Sequence, residues 1–249
     1  MGLLLFFGLL MIAFGPSAAL FVFTISKCPV RIILFVVGCF LWLFSLLLSA
    51  LMWQIASPLK EHLAFVLAFS VIFQEVARFT LYKLFQRAAK GLKDVLSDAE
   101  SESISGNKLP YVLGFGFGFM NAFVSFDNVL MHLSGPATVG IQGHVSNYFL
   151  ISAWITNTVV FNNIFWTVIS FKLWRSKSYI VYSLVPLSHF LVTYLTLLEP
   201  TVGGMVTKLV VQNVIALLFG YASFKAVGGS CLSFSNFLKQ CIRPVQAAA

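Results

Sequence analysis

The chain has 249 residues, 59% of them hydrophobic and only 10% charged, with a mean hydropathy of +0.92. Soluble globular domains carry about 25% charged residues, so this composition excludes a water-soluble enzyme or binding module and predicts a membrane protein. The formal net charge of +8 is no nucleic-acid signal, because the cations fall between apolar stretches and form no basic stripe.

Seven apolar stretches follow one another, at about residues 3–26, 30–53, 63–85, 109–133, 147–171, 179–198 and 205–226. Each reaches the ~20 residues that an α-helix needs to cross about 30 Å of hydrocarbon. The connections are short except for residues 86–108, which leaves no room for a separate soluble domain. The expected fold is all-α: a polytopic membrane protein with seven transmembrane helices in one bundle over residues 1–249, ending in a short tail at 227–249.

The first stretch carries small residues (Ser17, Ala18, Ala19) like those of a signal-peptide cleavage site. It has no basic leader, and its apolar run is longer than a signal peptide's, so it reads as a span. Gly15-Pro16 should loosen or kink it. The second stretch, rich in Phe, Leu and Val, reads mostly as lipid-facing or packing surface. Of its tryptophans, Trp42 and Trp53, the latter marks an interface.

The third stretch is the most unusual, because Gln74, Glu75 and Arg78 sit inside it. A charge near a bilayer centre costs about 2.5–3.5 kcal/mol on insertion scales. The i, i+3 spacing puts Glu75 and Arg78 side by side, where each offsets the other's desolvation. Two readings stand: a pair that snorkels to the headgroups, or a polar cluster buried between helices. Residues 86–108 begin as an amphipathic basic continuation of this helix and end in the polar run SDAESESISGN. Their first role is topogenic; contact with anionic lipid headgroups is a second.

In the fourth stretch Gly114, Gly118, Asn121, Ser125 and Asn128 fall within roughly an 80° arc, with Ala122 at its edge. Small residues at every fourth position let another backbone approach closely. The sequence leaves open whether that backbone belongs to this chain or to another subunit. The expectation carried forward is a partner's helix in the groove. Asp127, near the end of the span, reads as solvated.

Polar stripes continue along the fifth stretch (Ser152, Thr156, Asn163, Thr167, Ser170) and the sixth (Tyr182, His189, Thr193, Thr196), where Pro186 permits a bend. Ser and Thr can bond back to their own helix. Asn163 and His189 need partners, and the nearest supply is the Glu75/Arg78 face or each other. The structural expectation is a polar core lined by Gln74, Glu75, Arg78, Asn163 and His189.

Basic residues alternate between loops. Lys27 and Arg31, then Lys83, Arg87, Lys90, Lys93 and Lys108, then Lys172, Arg175 and Lys177, then Lys239 and Arg243 fall on one side, against Lys60 and Lys208 on the other. The positive-inside rule then places the N terminus in the lumen or outside and the C terminus in the cytosol, which requires an odd number of spans. No N-glycosylation sequon occurs. Cys28, Cys39, Cys231 and Cys241 have neither metal-site nor CxxC spacing, and on this topology none lies in a lumenal loop, so no disulfide is expected. Cys28 and Cys241 are weak palmitoylation candidates.

Enzyme readings fail one by one. There is no HExxH and no GxSxG. An intramembrane aspartyl protease needs two facing aspartates, and Asp127 is the only one in any predicted span. Lys225 sits too near a helix end to hold retinal, and the usual receptor motifs are missing. No metal site and no cofactor are expected.

The segments FFGLLMIAFGPSAALF, PVRIILFVVGCFLWLFSLLLSALMW, FQEVARFTLYKLFQRAAKGL, YVLGFGFGFMNAFVSF, SGPATVGIQG, SHFLVTYLT and GGS occur in this order. Together they resemble the anterior pharynx-defective family, the small seven-span subunit of gamma-secretase, over essentially the whole chain. The resemblance implies a non-catalytic scaffold, resident from the endoplasmic reticulum and Golgi to the plasma membrane and endosomes. Its implied partners are a nicastrin-type subunit, a presenilin-type catalytic subunit and a presenilin-enhancer-type subunit, besides membrane lipid. The implied substrates of the complex are stubs of the Notch and amyloid-precursor type. The family's glycine repeat maps onto Gly114, Gly118 and Ala122, with Ala122 replacing the third glycine. Its two intramembrane histidines map onto Asn163 and His189, so Asn163 replaces a group that titrates by one that does not. A small transporter or channel with a polar core is the alternative.

Overall fold

In a computed structural model, residues 3–55, 62–95, 106–134, 145–198 and 201–230 are described, and among them every regular element is helical. Helix α1 (Leu3–Leu20) is unbroken at Pro16 and passes into a π-helical turn at Phe21–Ile25. It is followed by α2 (Pro29–Ile55), α3 (Leu63–Val95), α4 (Lys108–Ser134) and α5 (Val145–Arg175). The expected sixth span is broken into α6 (Tyr179–Tyr182), α7 (Leu184–Tyr194) and a 3-10 turn (Leu195–Leu198). Pro186 explains the break at Ser183: it lacks an N–H, and its ring crowds the carbonyl four residues earlier, at Tyr182. Helix α8 (Val202–Ala226) begins at Thr201, whose Oγ1 caps the helix by accepting from Gly204 N at 3.0 Å.

Among the described residues, six segments are long and apolar enough to cross a membrane: Leu4–Ile25, Pro29–Ile55, Leu63–Ala88, Lys108–Met131, Tyr179–Leu198 and Gly203–Ala226. The remaining long helix, α5, has 31 residues and buries Thr156, Thr158, Asn162, Asn163, Thr167 and Ser170. Large apolar side chains cover the outside of the bundle, among them Ile180 at 90%, Leu4 at 88% and Leu217 at 74% exposure. An exterior this apolar suits a hydrocarbon solvent and not water. The chain is an integral membrane protein.

Helix α4 is the axis of the packing, wedged between α2 and α5. Helix α5 also packs on α8 and on α1, while α3 packs on α2 and α7. One apolar cluster, including Trp42, Leu81, Phe115, Phe117, Val160 and Trp174, ties α2, α3, α4 and α5 together. Of the tail, residues 227–249, those after Ser230 lie outside the described residues, as do SGPATVGIQG beyond Ser134 and the side chain of Asn128.

Candidate functional site: a buried polar cluster beside a cavity

Glu75 is the hub. Its Oε1 accepts from Arg78 Nη1 and from His189 Nδ1, the latter at 2.8 Å, and its Oε2 accepts from Tyr182 Oη at 3.1 Å. Arg78 is fully buried, and its Nη2 donates to Asn163 Oδ1 at 3.0 Å. The guanidinium also lies 5.2 Å from the Phe117 ring centroid and 5.9 Å from that of Trp166. Those ring faces supply attraction where no further acceptor is offered. His189 stacks on Trp166 with centroids 4.7 Å apart. Gln74 extends the cluster toward α2: its Oε1 accepts from Trp42 Nε1 at 3.2 Å, and its Nε2 donates to Ser70 Oγ at 3.1 Å.

The structure therefore brings Glu75, Arg78, Asn163 and His189 into one connected network, with Gln74 one helix position away. Asn163 and His189 each bond to the Glu75/Arg78 pair, and not to each other. Arg78 at 0% exposure does not snorkel. Both terminal nitrogens of Arg78 and both oxygens of Glu75 are hydrogen-bonded, while Arg78 Nε has no partner among the described residues. The attraction of the pair thus offsets its desolvation through most of its hydrogen-bonding groups.

A cavity of about 490 Å³, lined by both polar and apolar side chains, opens on this network. Gln74, Asn163, His189 and Trp166 form one end of it, and Thr156, Thr193, Thr196, Lys208 and Gln212 continue its wall. Asn162 Oδ1, Gln212 Oε1 and Trp166 Nε1 are buried without a hydrogen-bond partner among the described residues.

The small-residue stripe of α4 faces α5 of the same chain. A Cβ on Gly114 would lie 2.7 Å from Thr167 Cβ, and one on Gly118 would lie 2.8 Å from Asn163 Cβ and from Val160 O. Ala122 is fully buried in the shared core. The expectation that a partner's helix fills this groove is thus corrected: α5 fills it, because its backbone can come closest where side chains are missing. Asn121, half-buried, and Ser125, exposed, line the cavity beside this crossing. Asp127 is exposed on the outside of the described bundle.

Several residues that matter were not singled out from sequence. Gly116, about 200° from Gly114, faces α2, where a Cβ would fall on Phe35 O; Gly38 of α2 meets the same crossing, 2.5 Å from Leu113 O. The GxGxG spacing carries both faces and could have revealed them. Trp42 was expected on a lipid or packing surface and is 4% exposed, bonded to Gln74. Tyr182 was placed on a polar stripe, yet it is a direct partner of Glu75. Gln212, an amide in the seventh apolar stretch, is fully buried and donates to Ile155 O at 2.9 Å.

An all-helical membrane bundle built around a buried Glu–Arg–His cluster defines the class. The model of the Aph-1 protein family matches residues 4–230. The gamma-secretase subunit Aph-1 of Drosophila melanogaster is 40% identical over 235 residues, covering 94% of this chain and 97% of the relative. The gamma-secretase subunit APH-1B of Homo sapiens is 39% identical over 246 residues, covering 95% and 92%. The gamma-secretase subunit APH1-like of Arabidopsis thaliana is 32% identical over 224 residues, covering 85% and 88%. The chain belongs to the Aph-1 family.

Proposed function

We propose that this chain is a subunit of a gamma-secretase complex and acts there as a non-catalytic scaffold. It holds a nicastrin-type subunit, a presenilin-type catalytic subunit and a presenilin-enhancer-type subunit, and so supports intramembrane cleavage of Notch-type and amyloid-precursor-type stubs. The observation that carries this reading is the end-to-end relationship to proteins named as gamma-secretase subunits, in animals and a plant. The buried cluster supports it: each charged group is engaged by a neighbouring helix, which suits a rigid frame. In this reading α5 is also a span, its polar side turned to the cavity. The seven spans then put the N terminus in the lumen and the C terminus in the cytosol, in keeping with the alternating cations. The single-bundle organisation over residues 1–249 is part of the same proposal.

A gentle-detergent pull-down of the tagged chain, read by mass spectrometry, tests it. Recovery with all three partner types is expected. Emergence without them from cells that express all of them overturns the scaffold reading. The cavity favours a second reading, a small transporter or channel. Solute flux from the purified chain alone, abolished by Glu75→Gln, would establish it.

A further inference from the structure

One built corner goes beyond the scaffold reading: the place where the apolar part of α3 (Leu63–Ala88) and helix α5 end and α6 begins. Phe79 packs on Trp174 with centroids 5.2 Å apart, Tyr82 on Phe171 and on Trp174 at 5.3 Å each, and Tyr182 on Trp174 at 4.9 Å. These rings form a rigid cage shared by three helices. Immediately beyond it in sequence stand Lys83 and Arg87 on α3, and Arg175 and Lys177 at the α5–α6 turn, all four exposed. Lys83 Nζ lies 5.4 Å from the Phe79 ring centroid, which holds it toward the cage. The turn is equally fixed. Lys177 adopts φ +57°, and Ser178 N bonds to Leu173 O at 3.0 Å, closing the helix in a Schellman-type turn. Among the described residues no carboxylate forms an ion pair with any of the four cations.

Beside these cations the surface turns apolar at once. Phe79 is 40% exposed, Ile180 90%, Val181 52% and Leu184 57%. Exposed cations at the ends of two spans, an aromatic layer and open apolar side chains in succession along these helices match a phospholipid's phosphate, glycerol level and acyl chains. We propose that this corner binds the headgroup phosphate of an anionic phospholipid in the adjoining leaflet, with the acyl chains along α6, α7 and the outer face of α3. The positive-inside rule accounts for the side on which cations gather. It does not call for an aromatic cage with a cation, Lys83, seated on one of its rings. Aromatic rings favour the headgroup level, and juxtamembrane cations are attracted to anionic lipid.

Native mass spectrometry of the full chain in mild detergent tests this, with phosphatidylserine and phosphatidylcholine of matched acyl chains as probes. Phosphatidylserine should be retained at least tenfold more strongly. Arg87→Gln and Lys177→Gln should each weaken retention about fivefold, the ratio that about 1 kcal/mol per basic residue implies. Lys225→Gln, at the end of α8, should leave it unchanged. Equal retention of the two lipids overturns the proposal, as does a loss no greater at the corner than at Lys225. Displacement of the lipid by millimolar inorganic phosphate would assign the cations to a free anion and also overturn it. So would loss of binding in the assembled complex, which would show that a partner protein covers the corner.

Discussion

Asn163 Oδ1 accepts a hydrogen bond from Arg78 Nη2 at 3.0 Å, while its Nδ2 donates to Val159 O at 3.0 Å. The amide is therefore held in one orientation, since a flip would set donor against donor. A neutral histidine can make the same two contacts, accepting through one ring nitrogen and donating through the other. Asn163 also lines the cavity, which gives a larger ring room. Asn163→His is expected to fold with little change in thermal stability in detergent. Asn163→Ala strands a buried guanidinium donor and should cost about 1–3 kcal/mol. Equal melting temperatures for Asn163→Ala and the unaltered chain would contradict the assignment.

The α2–α4 crossing tolerates no side chain at Gly116, because the atom in the way, Phe35 O, is backbone. At Gly114 the nearest obstacle is the Thr167 side chain. Gly116→Ala should therefore lower thermal stability more than Gly114→Ala, with overpacking costs of about 1–3 kcal/mol setting the scale. A melting series of the two variants checks the order.

Removing one member of a buried ion pair leaves the other uncompensated, at a cost of about 3–5 kcal/mol. Glu75→Gln and Arg78→Met should each destabilise strongly. The double variant should be clearly more stable than the sum of the two predicts, because neither charge is then left alone. A double-mutant cycle on folded yield or melting temperature measures this. Additive losses would mean that the two side chains do not act on each other.

Tyr182 joins α6 to α3 through its single hydrogen bond to Glu75 Oε2. Tyr182→Phe keeps the packing on Trp174 and removes only the hydroxyl. A loss of about 1–2 kcal/mol is expected, the upper range for hydrogen bonds between membrane helices. Greater amide exchange at residues 179–185 should accompany it.

The helices were legible because membrane spans announce themselves by length and apolarity. The polar core was legible because Glu75, Arg78, Asn163 and His189 are too costly in lipid to lack partners. The Glu75–Arg78 pair followed from its i, i+3 spacing, but whether Asn163 and His189 meet that pair or each other could not be read, since α3, α5 and α7 meet through distances in sequence of about a hundred residues that periodicity does not report. The role of Gly114 and Gly118 went to the wrong helix for the same reason: a small-residue stripe predicts close approach, not whose backbone approaches. Trp42 shows another limit. An aromatic residue in an apolar run looks alike whether it faces lipid or donates to a buried Gln74. The split of the sixth span was visible in Pro186, although its position at Ser183 follows only from where the ring would clash.

Rescue of protease output tests the central claim most directly. Cells lacking their own Aph-1-type subunit would receive this chain, and the cleaved product of a Notch-type stub would be measured. The account predicts that the unaltered chain restores cleavage and that Gly116→Leu does not. A chain that is folded and inserted in the membrane, yet restores no cleavage with all three partner types present, would contradict it.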